Sequence, residues 1–363
     1  MKVALVHEFL NQLGGAERVL ENFLEIWPDA DVHVILYDGE KTNHVFEKYS
    51  RKVSWLNSFP LAHSHHRLLL PWMPKAIESF DFLNYDLVLS DSSSFAKGAI
   101  AKNTLHICYC HTPTRFLWTE PEYLKSQKYP ETIKWLGQAA VAWIKKWDFR
   151  AAQRPDFFIA NSKNVQNRIK EFYNRDSTVI YPPVDSEFFK PLGAKQNYFL
   201  VASRLEPYKK VDLVIQAFNE LGLPLKIAGT GTVADDLKKI AGPNIEFLGR
   251  VSDEELRALY SGAKAYIFPA EEDAGISMLE AQACGTPVIA FKAGGALELV
   301  SDKVSGEYFE LQTAAGIKKA VQDFKPEAYD SAAIRSHAEQ FDKRIFQKQI
   351  KEFIDRHLKE YSA

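Results

Sequence analysis

Tyr181-Pro182-Pro183-Val184-Asp185 decides how this chain is read. Two adjacent prolines remove two backbone donors and force extended geometry, as in a linker. On each side of them, short apolar runs alternate with segments of helical period. Before the prolines, Val3–Val6, Val32–Leu36, Leu87–Leu89, Leu105–Tyr109, Asp156–Ala160 and Thr178–Tyr181 read as strands. After them come Tyr198–Ala202, Leu225–Ala228, Ile245–Phe247, Ala265–Phe268 and Val288–Ala290. Between the first two strands, apolar residues at 16, 19, 20, 23, 24 and 27 form one face of a helix that Pro28 ends. Such alternation argues for βαβ units on a parallel sheet. The pattern predicts an α/β protein of two doubly wound domains, 1–185 and 186–344, with the boundary near Pro182–Phe189. The amphipathic stretch Ile345–Tyr361 has no following strand, so residues 345–363 are expected to form a helix that packs back across the junction.

The length of 363 residues suits two domains of roughly 100–200 residues each. Basic and acidic residues number 45 and 47, a net charge of −2, which excludes an electrostatic nucleic-acid binder. Three cysteines cannot build a disulfide framework, and a reducing, cytoplasmic setting is expected. His7 and Glu8 break the N-terminal apolar run before it reaches the length of a signal sequence. No run approaches the ~18 apolar residues of a membrane helix, so the expectation is a soluble or at most peripheral protein.

Open parallel sheets bind ligands outside the carboxyl ends of their strands, so the residues after each strand are the candidates. Asn11-Gln12-Leu13-Gly14-Gly15-Ala16-Glu17 follows the first strand and leads into a helix. Gly14 and Gly15 let the backbone approach a ligand, and the helix start can hold an anion. The plain alternative is a glycine turn with Glu17 favouring the helix N-terminus. In the second half, Ser203-Arg204-Leu205-Glu206-Pro207-Tyr208-Lys209 follows a strand. There Arg204 and Lys209 can converge on one anion, a fork and a point charge suited to a diphosphate; a solvated charge run is the alternative. The most informative stretch is Phe268-Pro269-Ala270-Glu271-Glu272-Asp273-Ala274-Gly275-Ile276-Ser277-Met278-Leu279-Glu280-Ala281. It reads strand, acidic loop, glycine, helix, with Glu280 about two turns into the helix. Carboxylates accept hydrogen bonds from sugar or ribose hydroxyls, while amides around Gly275, Ile276 and Ser277 face a phosphate. Helix capping explains Glu271–Asp273 but not Glu280 on an otherwise apolar face.

On these residues the chain resembles the retaining GT-B glycosyltransferases of family 4, the glycosyl transferases group 1. Glu272 and Glu280 match the family's Glu-x7-Glu motif. Gly14-Gly15-Ala16-Glu17, Arg204 with Lys209, Ala283-Cys284-Gly285-Thr286-Pro287-Val288 and Gly294-Gly295-Ala296-Leu297-Glu298 occur in family order over nearly the whole chain. The likeness is nearest to mannosyltransferase-like members that extend O-antigen and exopolysaccharide chains. It implies two Rossmann-like domains facing across a cleft, the acceptor bound by 1–185 and the nucleotide sugar by 186–344. It further implies that Arg204 and Lys209 hold the donor diphosphate, Glu272 the sugar hydroxyls and Glu280 the ribose, while Gly14 and Gly15 meet the phosphates from the N-terminal domain. His111, in Cys110-His111-Thr112-Pro113, matches the histidine on the donor-sugar side; from the residues alone it is a loop histidine. The sequence departs from the family at Ala274, where Phe is common, and at Gly229-Thr230-Gly231-Thr232, which lacks the usual proline and acidic residues.

The activity so implied moves a hexose, with mannose from GDP-mannose favoured, to a glycan or lipid-linked saccharide in cell-surface polysaccharide synthesis. Retention of configuration is expected, without a metal or other cofactor. No carboxylate nucleophile is obvious, which favours a same-face displacement with Arg204 and Lys209 stabilising the departing nucleoside diphosphate. A UDP-sugar-dependent transferase, a GT-B nucleotide-sugar epimerase and a catalytically silent nucleotide-sugar module are the alternatives. Asp29-Ala30-Asp31 imitates a metal-binding motif, but between Pro28 and a strand start an exposed turn is expected. Gly229-Thr230-Gly231-Thr232-Val233-Ala234 imitates a dinucleotide fingerprint without the ribose-binding acid that a dehydrogenase needs. Finally, Trp135, Trp143 and Trp147 alternate with Lys134, Lys145 and Lys146 in a predicted helix, and His63–Pro74 adds basic residues beside Leu68-Leu69-Leu70 and Trp72. That mixture suits peripheral contact with the inner face of a membrane. A core helix with snorkelling lysines accounts for it equally.

Overall fold

The computed structural model describes residues 1–60, 62, 63, 65–119 and 131–361, the side chains of Arg67 and of residues 131–139 excepted. The chain divides into two compact units, Met1–Tyr181 with Gln347–Ala363, and Pro182–Phe346.

In the first unit seven parallel strands are β1 (Val3–Leu10), β2 (Asp31–Tyr37), β3 (Arg51–Val53), β4 (Leu87–Ser92), β5 (Leu105–Cys110), β6 (Phe157–Ala160) and β7 (Thr178–Val179). Their order is β3-β2-β1-β4-β5-β6-β7, so the winding reverses between β1 and β4. That reversal is the topological switch point of a doubly wound sheet, where the loops at the carboxyl ends part and leave room for a ligand. Helix α1 (Gly15–Ile26) buries Val19, Leu20, Phe23 and Leu24, and its chain leaves helical geometry at Trp27, before Pro28.

Strand β1 runs four residues beyond Val6, through His7 and Glu8. Polar side chains interrupt the apolar run without interrupting the backbone ladder, because both are buried and bonded. The Glu8 carboxylate accepts hydrogen bonds from Ser92 Oγ and from the backbone N–H groups of Ser93, Ser94 and Ala96, at 2.8–3.2 Å. The three-residue edge strand β3 has no apolar pattern, since Lys52 and Val53 face solvent.

Helix α2 (Glu131–Ala151) packs Ile144 and Trp147 into the core beside Phe95 and Ile77. Trp147 is 5% exposed, and its Nε1–H donates to Glu78 Oε1 at 2.7 Å. Of the two readings of this helix, Trp147 takes the core one, while Trp143 is exposed and Lys145 lies 4.2 Å from the centre of the Trp118 ring. The Lys134 and Trp135 side chains lie outside the described residues. In the other basic–apolar stretch, Leu69 is buried whereas Leu68 and Trp72 are exposed.

The second unit has six parallel strands: β8 (Phe199–Ala202), β9 (Leu225–Ala228), β10 (Ile245–Gly249), β11 (Tyr266–Phe268), β12 (Val288–Phe291) and β13 (Gly306–Phe309). Their order is β10-β9-β8-β11-β12-β13, with the switch point between β8 and β11. Helix α3 (Val211–Leu221) lays Val214, Ile215 and Phe218 on the sheet beside Ile227 and Ile267. Helix α4 (Ile276–Ala283) follows β11. The last helix, α5 (Lys343–Tyr361), belongs to the first unit from Gln347 onward. There His357 stacks on Phe157 at 3.8 Å between ring centres and Gln347 donates to Glu25 at 2.7 Å. All three cysteines are buried thiols. Among the described residues, no helix is long and apolar enough to cross a membrane.

Candidate active site

Both switch points carry the polar residues that matter, and each is built within its own unit. In the second unit, β8 delivers Ser203–Glu206 and a short 3₁₀ turn, Pro207–Lys209, at its carboxyl end. Across the switch point, β11 delivers the loop Pro269–Asp273, and Gly275 opens α4 without a side-chain cap. The amides of Ile276 and Ser277 at that helix start have no intrahelical acceptor, the arrangement that suits an anion.

Arg204 and Lys209, expected to converge on one anion, have different protein partners. Arg204 Nη2 donates to the Tyr208 hydroxyl at 2.8 Å, whereas Lys209 Nζ pairs with Glu272 Oε1. The Lys209 and Glu272 side chains are only 14% and 17% exposed, so the pair is shielded from bulk water without being sealed. Glu272 itself is fixed through its backbone. Gly295 N–H donates to Glu272 O at 2.8 Å, and Gly294 has φ +56°. A Cβ on Gly294 would overlap Glu272 O, so only glycine both adopts that backbone and allows this approach.

Glu280 lies about one turn into α4 rather than two. It is 4% exposed, and the Tyr260 hydroxyl donates to its Oε2 at 3.2 Å. Burial, then the Glu280 charge, pushes the Tyr260 hydroxyl well above its ordinary value, so Tyr260 stays a donor. Ser277 Oγ, three residues before Glu280, is 3.0 Å from the Tyr266 hydroxyl.

In the first unit, Gly14 caps α1 with extended backbone and Gly15 begins the helix. Glu17 does not face solvent at the helix start; it is 2% exposed and its Oε1 lies 3.7 Å from His7 Nε2. His7 and Asp91 are direct neighbours on β1 and β4, and His7 Nδ1 is 2.9 Å from Asp91 Oδ2. The other Asp91 oxygen is 2.5 Å from Nε2 of His111, which leaves β5 beside it. Burial alone would push the His7 imidazole down, but hydrogen bonds and charges from Asp91 and Glu17 outweigh it and raise it well above the usual histidine range. Burial would likewise raise Asp91, yet His111 and His7 hold it below the usual carboxylate range. His111 is thus no idle loop residue, and its side chain keeps 12% exposure.

The imitation motifs have structural explanations. Backbone at Gly229 and Gly231 packs directly on Ser203 O and Leu205 O, where a Cβ would overlap, and Leu205 N–H donates to Thr230 O at 2.8 Å. These glycines shape the Arg204 loop rather than a dinucleotide site. Asp31 starts β2, at the end opposite the switch-point loops, and accepts a hydrogen bond from the Tyr85 hydroxyl at 2.5 Å. Among the described residues, no group of three or more histidine, cysteine or carboxylate side chains could hold a metal ion.

Two family models match in tandem, Glycosyltransferase Family 4 over residues 13–188 and Glycosyl transferases group 1 over residues 184–341. The chain belongs to the group 1 glycosyltransferases. An uncharacterized glycosyltransferase of Methanocaldococcus jannaschii is 24% identical over 88% of this chain and 87% of its own length. D-inositol 3-phosphate glycosyltransferase of Mycolicibacterium smegmatis is 30% identical over 51% of this chain and 49% of its own. Among solved structures, Anabaena HepE in complex with UDP-glucose has a TM-score of 0.75 at 22% identity, covering 98% of this glycosyltransferase and 100% of HepE. Sucrose-phosphate synthase of Thermosynechococcus elongatus reaches 0.78 at 15% identity, over 99% and 100%. The fold is therefore GT-B, as the motif order suggested.

Reading the sequence alone passes over His7, Asp91 and Glu17. His7 sits where an apolar run ends and Asp91 where another does, and their pairing spans 84 residues. A histidine and an aspartate at the carboxyl ends of neighbouring strands were the only local signal.

Proposed function

We propose that this glycosyltransferase is a retaining, metal-independent hexosyltransferase that draws its sugar from a nucleoside-diphosphate donor. The observation that supports this most is the Lys209–Glu272 pair at the switch point of the second unit. It sets a cation suited to a diphosphate beside a carboxylate suited to sugar hydroxyls, the two needs that meet at the glycosidic bond of a nucleotide sugar. Arg204 joins Lys209 on the diphosphate, Gly275, Ile276 and Ser277 offer amides, and Glu280 takes the ribose. In the first unit, His111 serves the sugar, and Gly14 and Gly15 serve the phosphates. As the glycosidic bond breaks, negative charge grows on the departing diphosphate, and the fixed positive charges of Lys209 and Arg204 stabilise it where other enzymes use a metal. The leaving phosphate then takes the acceptor proton on the same face, which retains the anomeric configuration.

The motif set favours mannose from GDP-mannose; that HepE was solved with UDP-glucose favours a uridine donor as the second reading. The acceptor is a glycan or a lipid-linked saccharide. Exposed Trp143 and Phe149 beside Lys146 and Arg150 on α2 support contact with an anionic membrane at the cytoplasmic face. A thermal-shift screen of GDP, UDP and ADP names the base, and NMR of the product with the matching sugar donor names the anomer. One diphosphate is expected to raise Tm by several degrees, and the product to keep the donor's configuration. An inverted product overturns the retaining mechanism, and no stabilisation by any diphosphate overturns the donor reading.

A further inference from the structure

Four ionisable side chains in the first unit alternate in sign from the interior toward the surface: Glu17, His7, Asp91 and His111. They come from α1, β1, β4 and the end of β5, so no single element accounts for the row. Glu17, His7 and Asp91 are 2%, 2% and 0% exposed, and only His111 reaches solvent. Tyr109 is the register partner of Asp91 on β5, and its ring packs against His111 at 5.2 Å between centres. Its hydroxyl is turned away and donates to Ile180 O at 3.1 Å, so it adds no charge to the row. Gln12 Nε2 lies 3.4 Å from Glu17 Oε1 and completes the polar groups around it.

Burying three ionised groups is costly, and simple sheet stability does not call for it. A leucine pair at positions 7 and 91 would serve the β1–β4 junction at least as well. The arrangement does accomplish one thing that apolar residues cannot. Each Asp91 oxygen has a histidine partner, so the carboxylate cannot rotate, and His111 must present Nε2–H to it. Glu17 Oε2 has no hydrogen-bond partner, which leaves the oxygen Oε1, on the His7 side, as the one the carboxylate uses.

We propose that His7, clamped between Glu17 and Asp91, is a positioning residue that sets the orientation of the His111 ring through Asp91. This rests on the reading that His111 serves the donor sugar. The raised proton affinity of His7 agrees, because a charged imidazolium beside Asp91 partly neutralises it. A charged His7 donates through Nδ1 to Asp91 Oδ2 and so leaves Oδ1 turned to His111.

The test is imidazole NMR of the full-length protein labelled at histidine, with the His111 signals assigned by their loss in His111→Ala. His7→Gln is expected to move the His111 ring signals, as its bond to Asp91 loosens, and to lower kcat about tenfold while the donor KM stays within about twofold. Glu17→Gln loosens the clamp on His7 from its other side and is expected to move the same signals by less. A purely structural role for His7 would lower Tm in both variants and leave the His111 signals where they are, and that result overturns the proposal. If His7→Gln does not fold, Glu17→Gln decides: moved His111 signals support the proposal and unmoved ones overturn it. His111→Ala separates the two levels. If it leaves transfer intact, the role given to His111 fails; if it abolishes transfer while the His111 signals of the other variants ignore His7 and Glu17, only the present inference fails.

Discussion

Glu272→Gln should make this glycosyltransferase bind its nucleoside-diphosphate product more tightly while transferring sugar more slowly. Lys209 is paired with Glu272, and a diphosphate needs that same ammonium group. Hydrogen bonds between charged groups contribute about 1.5–3 kcal/mol. With side chains 14% and 17% exposed, most of that survives solvent screening. Wild-type protein therefore loses about 1.4 kcal/mol or more of diphosphate affinity in separating the pair, which is about tenfold in Kd. An intact donor recovers it, because sugar hydroxyls replace Lys209 at the Glu272 carboxylate; the product diphosphate brings no sugar and does not. Glutamine keeps the shape and removes the competing charge. Calorimetric titration of the stabilising diphosphate into wild type, Glu272→Gln, Lys209→Met and the double variant is the assay. The expected result is a tenfold tighter Kd in Glu272→Gln that disappears in the Lys209→Met background. A Kd within twofold of wild type, or a gain that persists without Lys209, refutes the counter-ion exchange.

Three further outcomes follow from the same geometry. Gly294→Ala forces a Cβ onto Glu272 O at a residue with φ +56°; it is expected to cost about 1–3 kcal/mol in denaturant unfolding and to weaken donor binding. Transfer should continue in excess EDTA, and an assay in which EDTA abolishes it and Mg²⁺ or Mn²⁺ restores it contradicts the role given to Lys209 and Arg204. In the Lys97–Asp148 ion pair, with both side chains 1% exposed, the Asp148 carboxylate also accepts hydrogen bonds from Thr114, Tyr173 and Trp118. Lys97→Met strands the Asp148 charge and is expected to destabilise the protein by about 3–5 kcal/mol in chemical unfolding.

The central strands of both sheets were legible because parallel strands buried on two faces are apolar along their length, as in Leu87–Leu89 and Val288–Ala290. The edges were not. Arg51-Lys52-Val53 and Gly306-Glu307-Tyr308-Phe309 lack such a run, since an edge strand is stabilised by one neighbour and tolerates charge. Site residues in the second unit stood out because loops after strands are where ligands bind, and Arg204, Lys209 and Glu272 all occupy such loops. Their pairing did not stand out. Lys209 and Glu272 are 63 residues apart, and only the winding of the sheet brings them into contact. Trp147 shows what sequence leaves open: a tryptophan next to lysines suits an interface or a core helix equally, and contacts with Phe95 and Glu78 claim it for the core.

Steady-state kinetics of Lys209→Ala and Glu280→Ala, side by side with the donor that the screen identifies, test the central claim most directly. Removing one preorganised donor to a developing anion typically costs ~10²–10³ in kcat. Lys209→Ala is expected to lose about that factor, with a smaller rise in donor KM. Glu280→Ala, at the residue proposed for the ribose, is expected mainly to raise donor KM, the mark of binding that is equal in ground and transition states. If Lys209→Ala keeps kcat within about twofold of wild type, Lys209 does not stabilise the leaving diphosphate and the assignment of the second unit's switch point is wrong.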